Sequence, residues 1–90
     1  MSQLHKFSKQ LRVEVLSLSA EALTIEDVKA LTVKLEDGSS LGILPGHAPL
    51  IAATGEGPLQ YTNNEGKHEV YVKAGIMTVK HNLVSILTTY

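Results

Sequence analysis

Few folds can accommodate the run Leu44-Pro45-Gly46-His47 with apolar residues on either side of it. Proline presets φ at the first central position of a turn, and glycine supplies the positive φ needed at the second. The four residues therefore predict a type II turn. Ile43-Leu44 enters the corner and Leu50-Ile51-Ala52-Ala53 leaves it, while Pro49 forces Ala48 into extended geometry and so sets the exit path. A rigid corner flanked this way predicts a fixed surface feature carried by a folded body. Leu50 to Ala53 reads as a buried strand.

The rest of the chain alternates with period two between turn signals. Leu11-Arg12-Val13-Glu14-Val15 has the pattern of a half-buried strand, and Leu16 and Leu18 then take the opposite parity, as at a bulge or a strand end. Ser19 to Leu31 is ambiguous. Ser19 can cap a helix, and Ile25, Val28 and Leu31 recur every three residues. Against this, Thr24-Ile25 is β-branched and Leu31-Thr32-Val33-Lys34-Leu35 alternates cleanly. From the residues alone, a short helix and a hairpin are equally supported. Asp37-Gly38 can supply two positive φ values for a hairpin turn. Gly55 to Pro58 is a break, Asn63-Asn64-Glu65-Gly66 a second turn, and His81-Asn82 a third. Between them, Leu59 to Thr62, His68 to Ala74, Ile76 to Val79 and Leu83 to Leu87 read as strands. Val70, Val72 and Ala74 share one face, and Gly75 marks a bulge or a close backbone approach. Eight or nine short strands with turns about every 8–12 residues predict an all-β sandwich.

Ninety residues make one domain with one modest core, burying roughly 60–65% of the surface its unfolded chain exposes. Lys and Arg number 8 against 9 Asp and Glu, a net charge of −1, so no basic field exists to hold a nucleic acid. The absence of cysteine excludes disulfides and thiolate chemistry. Residues 1–10 read as a flexible leader without the apolar block of a signal peptide, and the longest apolar run is far too short to cross a bilayer. Any membrane contact is therefore expected to run through a partner.

Little in the chain points to catalysis. His5, His47, His68 and His81 are scattered, and no pair has the spacing that puts both on one strand face, so no metal site is expected. There is no nucleophile elbow and no phosphate-binding glycine loop. Glu36-Asp37 sits beside a turn glycine and reads as a solvated corner. His47 carries two compatible readings: a turn histidine whose ring bonds a nearby backbone group, or a partner contact at the rim of a rigid corner.

The run Gly42-Ile43-Leu44-Pro45-Gly46-His47-Ala48-Pro49-Leu50 resembles the signature of the epsilon subunit of F-type ATP synthases, in its N-terminal β-sandwich domain. Over the rest of Leu11 to Leu87 the likeness is one of pattern. It departs at Ala74, where the family shows a second glycine beside Gly75, and at Pro58, shifted from the usual Pro-Gly. It departs also at Ser39-Ser40, where the family carries glycine and an acidic residue. The resemblance resolves Ser19 to Leu31 in favour of strands. It implies a flattened sandwich of two antiparallel sheets over residues 11–90, without the helical hairpin that follows in most members. It also implies a non-catalytic rotor subunit of the central stalk, with no cofactor, coupling the gamma subunit to the membrane c-ring during ATP synthesis driven by ion transport. Standard and alternative, sodium-type branches are not separated by it.

By position, Ser39, Ser40, Leu41 and Gly42 are implied to approach the c-ring. Ser17, His47 and Ala52 are implied to face gamma, with Pro45, Gly46 and Pro49 as the structural turn. The implied location is peripheral, on the cytoplasmic side of an energy-transducing membrane. Such a subunit should expose an apolar face in isolation. A free-standing adaptor or small-ligand sandwich is the alternative, and a hydrolase or metal enzyme built around His47 a weaker third.

Overall fold

The computed structural model describes residues 10–19 and 21–88; the leader expected over residues 1–10 lies, apart from Gln10, outside the described residues. Nine strands follow one another: β1 (Leu11–Leu16), β2 (Leu23–Val28), β3 (Ala30–Lys34), β4 (Ser40–Ile43), β5 (Leu50–Thr54), β6 (Gly57–Asn63), β7 (Gly66–Val72), β8 (Gly75–Lys80) and β9 (Leu83–Thr88). They form a five-stranded sheet in the order β2-β1-β9-β8-β5 and a four-stranded sheet in the order β4-β3-β6-β7. Every join is antiparallel except that of β1 with β9, which run parallel from Arg12 beside Leu83 to Leu16 beside Leu87.

Alternation builds the core. Leu11, Val13, Met77, Val79, Val84 and Ile86 point inward from the larger sheet, and Leu31, Val33, Ile43 and Leu59 from the smaller, all at 2% exposure or less. Burying each such side chain contributes about 1.5–3 kcal/mol.

The ambiguous stretch is strand, and its three-residue spacing has a specific cause. Asp27 takes a left-handed conformation, φ 58°. Leu11 and Val13 of β1, two residues apart, stand opposite Val28 and Ile25 of β2, three apart. A bulge therefore flips the parity, so Ile25 and Val28 both face the core at a spacing that mimics a helix. Lys29 N then donates to Thr62 O at 2.7 Å, carrying the chain into the second sheet.

Two expectations need correction. At the β3–β4 turn only Gly38 is left-handed, φ 91°, and Asp37 is not. Gly38 N donates to Leu35 O at 3.0 Å and Leu35 N to Ser39 O at 2.7 Å, the three-residue loop in which one glycine closes an ordinary turn. The second correction concerns β5. It is an edge strand whose Leu50 is half-buried and whose Ile51 is 75% exposed, so it is not a buried strand. Alternation, which the uniform composition of Leu50 to Ala53 concealed, turns Ile51 to the outer face. Gly75, by contrast, does mark a close approach: a Cβ there would lie 2.1 Å from Leu87 O.

Candidate functional site

The corner folds as its residues require. His47 N donates to Leu44 O at 3.1 Å across Pro45 and Gly46, and Gly46 has φ 88°. Ile43 is fully buried but Leu44 is 60% exposed, so the corner is anchored by Ile43 and Leu50 and presents Leu44 outward. His47 is half-buried, and its Nδ1 lies 2.7 Å from Ala48 O, the backbone contact expected of a turn histidine.

What fixes the corner on the sandwich is Asn82. His81 and Asn82 both adopt left-handed φ, 52° and 64°, and join β8 to β9 as a two-residue hairpin turn closed by Lys80 and Leu83. The Asn82 side-chain oxygen accepts Gly46 N–H at 2.7 Å, while its backbone oxygen accepts Arg12 N–H at 2.9 Å. One residue thus ties the elbow, the β8–β9 turn and the start of β1. Reasoning from sequence recognised Asn82 only as a turn residue; the side-chain role spans 36 positions and leaves no local signal.

These elements border an open groove of about 900 Å³ lined by Arg12, Glu14, His47, Pro49, His81 and Leu83 among others. The fold thus brings His47 and His81 to one groove despite their separation in sequence. Among the described residues no group of three or more His, Cys, Asp or Glu stands together as a metal site. Arg12 is held by Glu14 at 3.2 Å and Glu26 at 2.8 Å.

Beyond Pro49 and Leu83 the groove continues onto the outer face of the five-stranded sheet, through an apolar hollow that also includes Ile51 and Thr78. Pairing aligns Leu16 with Leu87, Leu87 with Ile76, and Ile76 with Ala53 in one row across four strands. Leu16, Leu87, Ile76, Leu83 and Ile51 are 38%, 53%, 48%, 37% and 75% exposed, so this sheet turns an apolar row to solvent, with Ile51 ending the neighbouring row of Glu14, Ser85 and Thr78 and Leu83 standing beyond that row. The four-stranded sheet does the opposite. Its middle outward row reads Gly42, Thr32, Gln60 and Glu69, with Gln60 Nε2 donating to Glu69 Oε2 at 3.0 Å.

Of the remaining candidates, Ser17 and the β3–β4 turn occupy the far end, and Ala52 lies within β5. Ser17 follows Leu16, whose carbonyl accepts Thr88 Oγ1–H at 3.2 Å, whereas His47 lies beside Asn82. The length of β9 between them is roughly 15–20 Å. Ala52 does not share the outer face: it packs against the core, and its neighbour Ile51 is the exposed one. At the β3–β4 turn, Ser39, Ser40 and Gly42 are exposed, but Leu41 also packs against the core. Asp37 Oδ1 accepts both Ser39 N–H, at 2.9 Å, and Ser39 Oγ–H, at 2.6 Å. The Ser39 hydroxyl, then its amide, holds the Asp37 carboxyl below the usual carboxylate range. Nearby, the Tyr71 hydroxyl donates to Glu56, and Lys73 lies 3.5 Å from the same oxygen; the tyrosine first and the lysine second lower the Glu56 pKa.

The family described as "ATP synthase, Delta/Epsilon chain, beta-sandwich domain" matches residues 10–89, the whole of the two-sheet body. The chain belongs to that family. Its relatives include the ATP synthase epsilon chain of Leptospira borgpetersenii serovar Hardjo-bovis (strain JB197), 39% identical over 84 residues. That alignment covers 93% of this chain and 65% of the Leptospira protein. The epsilon chain of Lawsonia intracellularis (strain PHE/MN1-00) is 46% identical over 48 residues, 53% of this chain and 36% of that protein. The chain thus spans less than two thirds of the length of these relatives.

A chain in the Euglena gracilis mitochondrial ATP synthase, a structure of OSCP, F1 and c-ring, superposes with a TM-score of 0.75 at 23% identity, covering 90% of this chain and 51% of its own. One in the Tetrahymena thermophila mitochondrial ATP synthase central stalk and c-ring gives 0.67 at 17%, covering 92% and 66%. At these identities the likeness is one of fold.

Proposed function

We propose that this delta/epsilon-type sandwich is a non-catalytic subunit of the central stalk of an F-type ATP synthase. In this reading it joins the gamma shaft to the membrane c-ring, so that ion-driven rotation of the ring reaches the shaft without slip. The observation that carries the reading is the apolar outer face of the five-stranded sheet, continuous with the elbow pinned by Asn82. An exposed row of large apolar side chains on a small domain is costly in water and favours a lasting partner.

Gamma covers that face. Leu16, Ile51, Ile76, Leu83 and Leu87 supply the apolar contact, His47 the rim, and Ser17 the far end; Ala52 seats β5 on the core from the opposite face. The c-ring meets the β3–β4 turn through Ser39, Ser40 and Gly42, with Leu41 anchoring the strand from inside. The Asp37–Ser39 bonds keep that turn in one shape. The subunit is peripheral, on the cytoplasmic side of the energy-transducing membrane, and makes or breaks no bond. Family membership favours this over a free-standing adaptor sandwich.

Co-expression with the gamma subunit of the same synthase tests the reading. A stable 1:1 complex in gel filtration is expected; a chain that elutes alone in the presence of folded gamma overturns it.

A further inference from the structure

The two sheets have four edges, and two carry charges that discourage another strand from adding. β2 carries Glu26 and the left-handed Asp27 and β7 carries Lys67 and Glu69, while β4 edges the four-stranded sheet and not the one with the apolar outer face. β5 has no charge, no bulge and no proline within Leu50–Thr54. It is covered at one end alone, where Glu36 N donates to Ala53 O at 3.1 Å and Gly55 N to Lys34 O at 2.9 Å.

Those bonds also fix the direction of the open groups. Ala53 O points away from β8, toward Glu36. N–H and C=O of one residue lie on the same side of a strand and alternate along it, and β5 pairs with β8 without a register shift. Ile51 N–H and C=O therefore point to the open edge, and no described residue bonds them there. Its side chain stands 75% exposed on the outer face of the same sheet. Ile51 is thus the corner where an unpaired backbone meets an apolar surface.

We infer that the open part of β5, from Leu50 to Ala52, takes up an extended segment of the shaft subunit as a sixth strand beside Ile51; this rests on the function proposed above. The open length of β5 settles which partner. Between the elbow and the Glu36 bond only about three residues are free, roughly 10 Å. So short a stretch holds no strand by itself, nor a second copy of this chain through a pair of such edges. It holds one that arrives with the protein covering the adjoining apolar face. The added strand turns a face contact into a fixed register, which a joint under torque requires.

The test is amide hydrogen exchange by NMR on the full ¹⁵N-labelled chain, free and bound to purified gamma. In the free chain the Ile51 amide exchanges much faster than that of Ala52, which faces β8. In the complex it is expected to slow at least ~100-fold, as an amide entering a ladder does. Ile51→Pro, which removes only an outward N–H on the backbone, is expected to weaken binding about 3–10-fold beyond Ile51→Thr, which keeps it. A complex in which Ile51 still exchanges freely overturns strand addition and leaves the stalk reading standing. Protection that rises with the concentration of this chain alone, without gamma, assigns the edge to a second copy and also overturns it. Failure to form any complex removes both.

Discussion

Gly46 N–H donates to the side-chain oxygen of Asn82 at 2.7 Å, joining the elbow before β5 to the turn between β8 and β9. The bond is exposed, yet it is the side-chain tie between the elbow and the larger sheet, and Asn82 also occupies a left-handed φ of 64°. Asn82→Ala loses the bond and strains the turn, and should cost about 1.5–3 kcal/mol. Asn82→Gly keeps the turn and should cost less, while both release the Gly46 amide. Urea denaturation and exchange at Gly46 check this: an amide that stays protected in the glycine variant would mean the elbow is held by something other than this bond.

Gly75 offers a sharper contrast. A Cβ at this position would lie 2.1 Å from Leu87 O and 2.8 Å from Thr88 Cα, backbone atoms that cannot rotate away. Gly75→Ala should therefore cost about 3 kcal/mol or more, or prevent folding. At Gly42 an added Cβ meets nothing within 4 Å. Gly42→Ala should be neutral or stabilising by about 0.4–1 kcal/mol, because it restricts the unfolded chain without straining the strand. Equal midpoints for the two variants in urea would contradict the close approach.

Those glycines also mark what a sequence can disclose. Turn chemistry is local, so Asp37-Gly38, Pro45-Gly46, Asn63 to Gly66 and His81-Asn82 correctly placed the β3–β4, β4–β5, β6–β7 and β8–β9 joins. Burial is not local. Nothing within Leu50 to Ala53 reveals that β5 ends at a sheet edge, nor that Ala52 faces in while Ile51 faces out. The apolar row Leu16, Leu87, Ile76 is assembled from strands distant in sequence, and only pairing brings it together. The helix-like spacing of Ile25 and Val28 came from one left-handed residue, Asp27, which no pattern of apolar residues announces. An Asn in a two-residue turn was the available hint to Asn82, but its partner is unreadable without the fold.

Acid response at the far end follows from two lowered carboxyls. The folded state holds Glu56 in its charged form, through Tyr71 first and Lys73 second. A folded pKa below the unfolded one contributes stability that is present above about pH 4.3 and lost as pH falls through the folded value. Tyr71→Phe removes the larger cause, so the Glu56 carboxyl should titrate at higher pH in ¹³C NMR. Ser39→Ala should move Asp37 in the same direction but only part of the way, since the Ser39 amide still donates to it. An unmoved Glu56 in the Phe variant would show that the phenol hydroxyl is not what sets its titration.

The two outer faces make opposite predictions about docking. Ile76 and Leu87 are about half exposed and pair side by side on the five-stranded sheet, whereas Glu69 faces solvent beside Gln60 on the other. Lysine at any of the three should alter the stability of the isolated chain by only about 0.5 kcal/mol, because no core contact is lost. In the proposed complex with gamma, Ile76→Lys or Leu87→Lys would bury a charge without a partner, so each should weaken binding about 30-fold or more in calorimetric titration. Glu69→Lys should leave it unchanged. If Glu69→Lys disrupts the complex while the apolar variants bind normally, gamma sits on the four-stranded sheet. The apolar face would then need another partner.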